Sequence, residues 1–235
     1  MTREEQAHLL VHGEIEVVGR IAASSNQALL VELSDGSLKA MACYKAAKGE
    51  RPLWDFPDGL WRREIAAYEL DLALGTELVP TTVARDNAPF GPGSLQWWVD
   101  DNDVDHYFTL REREEFHDWF RALSAFDVVA NNADRKSGHV IFDGERCWAI
   151  DNGLCFHQQD KLRTVIWEFA EEPVDAKLLD SLDRFAHGAV GDLGRWLNPI
   201  ELALTQDRAR VLVENAVLPL PDDDREWPPY PWPLV

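Results

Sequence analysis

Several things are scarce in this 235-residue chain, and each scarcity removes a class of protein. Only three cysteines occur, Cys43, Cys147 and Cys155. An odd count at spacings that match no zinc knuckle excludes a disulfide framework and a structural zinc site, and leaves small apolar fillers. No run of about 20 apolar residues exists, so no membrane-spanning helix is expected. The first residues, Met1-Thr2-Arg3-Glu4-Glu5, lack the apolar stretch of a secretory signal, which makes the cytoplasm the expected location. Positive charge is short: 23 Lys and Arg stand against 42 Asp and Glu, a formal net charge of −19. That field repels nucleic acid and anionic lipid surfaces. It still admits a small anion held by local cations and divalent metal. The excess acid gathers in two short clusters, at 100–103 and 222–224, which read as solvated loops.

Against these absences stand an apolar content of 46% and a length suited to one domain or two closely packed lobes. Residues 14–33 are rich in Val, Ile and Leu and break into two strands around a polar turn at 22–27. Asp35-Gly36 turns the chain into a third strand ending near Lys45, giving an antiparallel meander. After a Pro/Gly-punctuated loop, residues 60–74 read as a helix. Trp61, Ile65, Tyr68 and Leu72 lie on one face, and Gly75 is the C-cap. LVPTTVAR and SLQWWVDD read as further strands joined by a turn at 87–93. From residue 110 the pattern becomes helical, with Phe116, Trp119, Phe120, Leu123 and Phe126 as its apolar stripe. A hairpin about Asp143-Gly144 follows, then helices in DAKLLDSLDRFA and PIELALTQDRARVLVENAVL. The tail WPPYPWPLV reads as a strap on its own domain, with a polyproline ligand for a partner as the other reading.

Chemistry concentrates at that hairpin. The loop 131–139 enters its first strand, and Asp151-Asn152-Gly153 leaves its second. Antiparallel pairing therefore brings His139 close to Asp151, with Asp134 at the apex of the loop. Two carboxylates converging at one end of a rigid hairpin suit a divalent cation and a base that orients a nucleophile. DNG alone is an ordinary turn and NADR alone an ordinary cap with an ion pair. Their joint placement after an amphipathic helix is what carries the reading.

FDVVANNADRKSGHVIF followed by WAIDNGLCF resembles the catalytic loop and metal motif of type II phosphatidylinositol 4-kinases and, more loosely, of HipA-type kinases. YK at the end of the third strand resembles the kinase strand lysine. REIAAYELDLALGTELVP resembles the helix that carries its paired glutamate. GERPLWDFPDG, FGPG, KLRTVIWEF and WPPYPWP resemble an uncharacterised actinobacterial kinase-like family over most of the chain. The resemblance implies an α+β, protein-kinase-like two-lobed fold: an antiparallel-sheet N-lobe over 1–99, a hinge at 100–106, and a mainly helical C-lobe over 107–235.

The resemblance also implies roles. Lys45 would bind the α- and β-phosphates of ATP, with Glu64 holding it by an ion pair. Ser24, Ser25 and Asn26 would cover the phosphates, although the glycine-rich loop of protein kinases is missing there. Gln96, Trp97, Trp98 and Val99 would face adenine. Asp134 would orient the acceptor hydroxyl, Arg135 would steady its loop, and Asp151 would chelate magnesium or manganese. The family's second metal ligand is an asparagine; here that position is His139, which is expected either to ligate, favouring manganese, or to pack within the loop. The expected activity is ATP- and metal-dependent phosphotransfer to a protein Ser/Thr or a soluble hydroxyl compound rather than a lipid. A nucleotide-binding pseudokinase and an AMP transferase are the alternatives.

Overall fold

The computed structural model describes residues 1–21, 27–101, 104–222 and 227–234. It is an α+β protein whose first half is built on one antiparallel sheet. Helix α1 (Arg3–His12) precedes strands β1 (Glu14–Arg20), β2 (Leu29–Ser34) and β3 (Lys39–Ala46). Helix α2 (Leu60–Leu74) then leads into β4 (Thr82–Arg85) and β5 (Gly93–Trp97). The strands lie in the order β1-β2-β3-β5-β4, every neighbour antiparallel. Lys45 pairs with Ser94 and Ala46 with Gly93. Only glycine fits at 93, because a Cβ there would meet the Lys45 carbonyl oxygen at 2.4 Å and the Tyr44 ring at 2.7 Å.

Helix α1 was not foreseen from the sequence. Its signal is a capping box: Thr2 Oγ1 accepts from the Glu5 N–H, and Glu5 Oε2 accepts from the Thr2 N–H. The helix buries only Leu9 and Leu10, which join Val31, Leu33, Ala42, Tyr44, Ala46 and Leu95 in a small core. Arg85 fastens its C-terminal end by donating to the Leu10 and Gly13 carbonyls, 2.8 Å each.

The second half holds α3 (Tyr107–Leu110), α4 (His117–Ala130), the hairpin β6 (Val140–Phe142) and β7 (Cys147–Ala149), α5 (Ala176–Ala186) and α6 (Pro199–Asn215). Asp175 caps α5 and Asn198 caps α6, with Pro199 at its first position. The larger core lies here, around Phe120, Leu123, Phe126, Phe156, Ile166 and Phe185. Helix α2 departs from the expected one-faced pattern. Eleven of its fifteen residues are buried, Arg63, Glu64 and Asp71 among them, while Leu72 is 47% exposed. The helix is wedged between sheet and helices, so several sides are covered and the apolar period no longer decides burial. Its second half, from Ala66 to Leu74, belongs to the larger core.

The tail packs as a strap. Pro229 and Pro231 are buried, and the Pro229 carbonyl accepts from the Thr164 N–H (3.0 Å) and from Trp167 Nε1 (3.2 Å). The Leu234 carbonyl accepts from the Ser137 N–H at 2.9 Å, so the strap ends on the loop that carries Asp134.

Candidate active site

Three elements deliver three charged side chains to one point. Lys45 stands near the end of β3, Glu64 in the second turn of α2, and Asp151 directly after the β6–β7 hairpin. The Lys45 ammonium contacts Glu64 Oε1 and lies 2.7 Å from Asp151 Oδ1. Burial alone would lower the Lys45 pKa, but the Asp151 and Glu64 carboxylates override it and raise it. Asp151 is held well below the usual carboxylate range, chiefly by Lys45, against the opposing effect of burial. Glu64 is pushed up by burial, although Lys45 pulls it the other way.

The hairpin register explains the arrangement. Val140 pairs with Ala149, and the Ile150 N–H donates to the His139 carbonyl at 2.9 Å. His139 Nε2 consequently lies 3.4 Å from Asp151 Oδ2. Asp151 itself sits at φ 56°, in the left-handed region, an outlier of the kind that marks a functional turn. The next residue is tied back to α2, its N–H donating to Glu64 Oε2 at 3.0 Å. Gly153 packs close beside it: a Cβ there would crowd Glu64 Oε1 at 3.2 Å.

Beneath this lies a second, closed network. Arg135 is fully buried, and its guanidinium donates to both oxygens of the buried Asp127, to the Ile150 carbonyl (2.9 Å) and to Asn152 Oδ1 (2.6 Å). It thereby binds α4, the loop 131–139 and the DNG turn into one unit. Asn132 completes it, donating to Asp127 Oδ1 and accepting from the Asp134 N–H, 3.0 Å each. Asp127, Asn132 and Asn152 were not singled out from the sequence. The available signal was a carboxylate set inside the apolar stripe FDVVA.

Asp134 projects from this unit with its carboxylate 3.0 Å from Lys136 Nζ. Burial raises its pKa against the pull of Lys136, which makes it a better proton acceptor than an exposed aspartate. His139 is pushed down to about 4 by burial and is neutral at pH 7. The Lys136 N–H points at its Nδ1 (3.4 Å), so Nδ1 accepts and Nε2 carries the proton that faces Asp151.

The remaining sequence candidates fare differently. The Gln96 side chain turns into the sheet, donating to Thr82 Oγ1 at 2.9 Å. The Trp97 and Trp98 N–H groups go to the Thr81 and Met41 carbonyls. Val99 is the first of the four whose N–H has no protein acceptor among the described residues. Ser24, Ser25 and Asn26 lie outside the described residues. All three cysteines are free; burial pushes Cys43 up to about 11 and Cys147 up to about 12, so neither is a nucleophile at neutral pH. Among the described residues no three His, Cys, Asp or Glu side chains group as a metal cage, and no helix is long and apolar enough to cross a membrane.

Protein Rv2133c of Mycobacterium tuberculosis is 37% identical to this chain over 272 aligned residues, covering 98% of the chain and 96% of the relative. The chain belongs to the Rv2133c family. No family model matches it. Among solved structures it is similar to the Golgi casein kinase, with a TM-score of 0.60 at 13% identity over 91% of this chain and 74% of that one. The same kinase with Mn/ADP bound gives 0.57 at 12% identity, over 91% and 75% of the two chains. Hydra Fam20 solved with sugar gives 0.56 at 13% identity, over 89% and 86%. At such identities the likeness establishes the fold: two lobes, kinase-like, one an antiparallel sheet and the other helical.

Proposed function

We propose that this member of the Rv2133c family is an ATP- and divalent-metal-dependent phosphotransferase. The observation that carries the reading is the Lys45 ammonium shared between Glu64 and Asp151, the three residues coming from three separate elements. Such an arrangement holds a cation and a metal-binding carboxylate ready for a polyphosphate. The nucleotide would lie between residues 1–99 and 107–235, joined at 100–106, with the Val99 backbone towards adenine. Lys45 would hold the α- and β-phosphates while Glu64 keeps it extended. The Mn/ADP complex of the Golgi casein kinase, a protein of the same fold, supports nucleotide and metal as the ligand class.

Asp151 supplies one carboxylate with a 44% exposed side chain, which suits a magnesium or manganese ion that takes its other ligands from phosphates and water. Bound there, the metal would neutralise charge on the transferring phosphoryl group. The Nε2–H of His139 makes that residue a support for Asp151 rather than a ligand. Asp134 would accept the proton of the acceptor hydroxyl as the oxygen attacks the γ-phosphorus, and ADP leaves. Arg135 would act indirectly, by fixing the loop. A lipid acceptor is disfavoured by the formal charge of −19, which leaves a soluble or protein hydroxyl.

Incubation with α- and γ-labelled ATP and metal tests this. Gamma label on the product is the expected result. Alpha label would mean AMP transfer, and binding without transfer would mean a nucleotide-dependent binding module.

A further inference from the structure

A groove of about 970 Å³ is lined by residues that pack on or bond to the 131–139 loop, though none of that loop lines it. Its rim is formed by the 54–59 loop, the start of α2, the segment 157–161, the turn into α6, and Trp227 of the tail. Its volume is near the upper end of small-ligand sites. Two links join it to the candidate active site. Phe56, in its wall, packs with Leu60 on Ala133, the residue before Asp134. Asn131, three residues before Asp134, holds the opposite wall: its Nδ2 donates to the His157 and Gln159 carbonyls (2.9 and 2.7 Å), and its Oδ1 accepts from the Lys161 N–H (2.9 Å).

The lining has three properties. First, it exposes two indoles: Trp54 is 85% exposed and Trp227 52%, their rings 6.3 Å apart and tilted by 52°, with the Arg163 guanidinium 6.0 Å from the Trp227 ring. Large apolar surface left open at a concave site is the usual mark of something that covers it. Secondly, the groove is electrically balanced in a strongly acidic chain. Its lining contains three cations and three carboxylates. Lys161 pairs with Asp55 and Arg63 with Glu201, while Arg62 and Asp58 oppose one another in sign. A charged ligand gains nothing from such a balance. Thirdly, Gln158 and Gln159 are exposed there, so amide donors and acceptors line the same groove as the rings.

We propose that this groove binds the acceptor and that the acceptor is a neutral glycosyl or polyol compound. A sugar ring has flat C–H faces that stack on indole and a rim of hydroxyls that both donate and accept. Amides and compensated charge pairs satisfy that rim without demanding a charge in return. The proposal rests on the phosphotransferase reading for its second half only. A ring hydroxyl would lose its proton to Asp134, form the new P–O bond, and release ADP with the electrons of the broken bond.

Binding is testable without nucleotide, which separates it from the fate of the phosphotransferase reading. Maltose, methyl α-glucoside, myo-inositol and a proline- and tryptophan-rich decapeptide would be titrated into the full chain by calorimetry and tryptophan fluorescence. We expect saturable binding of at least one of the three polyhydroxy probes, weakened about tenfold or more in Trp54→Ala, partly restored in Trp54→Phe, and unchanged in Asp151→Asn. Absence of saturation by all three would overturn the proposal, as would equal binding by Trp54→Ala, or binding of the peptide alone. With labelled ATP, γ label should then appear on the bound probe. Sugar binding with label transferred only to protein would overturn the acceptor assignment.

Discussion

Two aspartates in the second half of the molecule, Asp127 and Asp151, each meet a cation, and they live in opposite surroundings. Asp127 and Arg135 are both fully buried and every exchange they make is with protein. Asp151 keeps a 44% exposed side chain and shares Lys45 with Glu64. A buried pair contributes little net stability once desolvation is counted, yet removing one member strands the other. An open pair can be dismantled cheaply because water and a remaining partner take over. The closed charges thus hold the 131–139 loop in shape, while the carboxylate of Asp151 stays within reach of water.

The largest expected effect follows from breaking the closed pair. Asp127→Asn should cost about 3–5 kcal/mol in denaturant unfolding, out of a typical total of about 5–15 kcal/mol, because the Arg135 charge is left uncompensated. A loss below about 1 kcal/mol would mean that the network adapts and that the contrast is false. Asp151→Asn should do the reverse. Stability should fall by less than in Asp127→Asn, because the Asp151 side chain is partly in water and Glu64 still compensates Lys45, while nucleotide-metal affinity and transfer fall by about a hundredfold or more. Calorimetry with ATP and metal, run beside thermal unfolding, reads both quantities on one preparation.

Asp134→Asn sharpens the comparison within the open group. On the proposed function Asp134 takes the acceptor proton rather than holding the phosphates, so turnover should fall about 10²–10⁴-fold with ATP affinity unchanged. Loss of ATP affinity in a folded variant would assign Asp134 to the metal instead.

The open and closed groups differed in legibility too. The hairpin is legible because Asp143-Gly144 fixes the turn and an apolar segment lies on either side; antiparallel pairing then brings His139 close to Asp151 whatever the register within one or two residues. Lys45 and Glu64 were legible only through the resemblance of YK and REIAAYELDLALGTELVP to the kinase strand and helix, not from the local pattern. Arg135 was seen as a stabiliser of the loop, but its partner was not: Asp127 matters only because α4 brings it under the loop. Helix α1 buries two leucines, too few to leave a period, and its capping box was the sole cue. The wedge of α2 defeated the one-face pattern at Leu72, since burial there is set by two neighbouring layers rather than one. The groove had no sequence signal, because Trp54 sits in a loop where no periodicity marks a face.

His139 belongs to neither group, and the smallest effects concern it. Its imidazole is nearly buried, with a side chain 14% exposed, and burial pushes its pKa down to about 4 from the ordinary histidine value. The folded form therefore binds this proton less readily than the unfolded chain. Its contribution to stability is intact above about pH 6.5 and is lost progressively as pH falls towards 4, up to about 3 kcal/mol. His139→Asn should flatten that part of the pH–stability curve in urea titrations of the nucleotide-free protein. The same substitution probes the metal. Were Nε2 a ligand, it would have to give up its proton and shift it to Nδ1, in conflict with the Lys136 N–H already pointing there. The expected ratio of manganese- to magnesium-supported activity is therefore the same in His139→Asn as in the parent, with total activity lowered by less than about tenfold through a less well-held Asp151. A ratio shifted towards magnesium would place His139 back among the ligands and move Asp151's support to Lys45 alone.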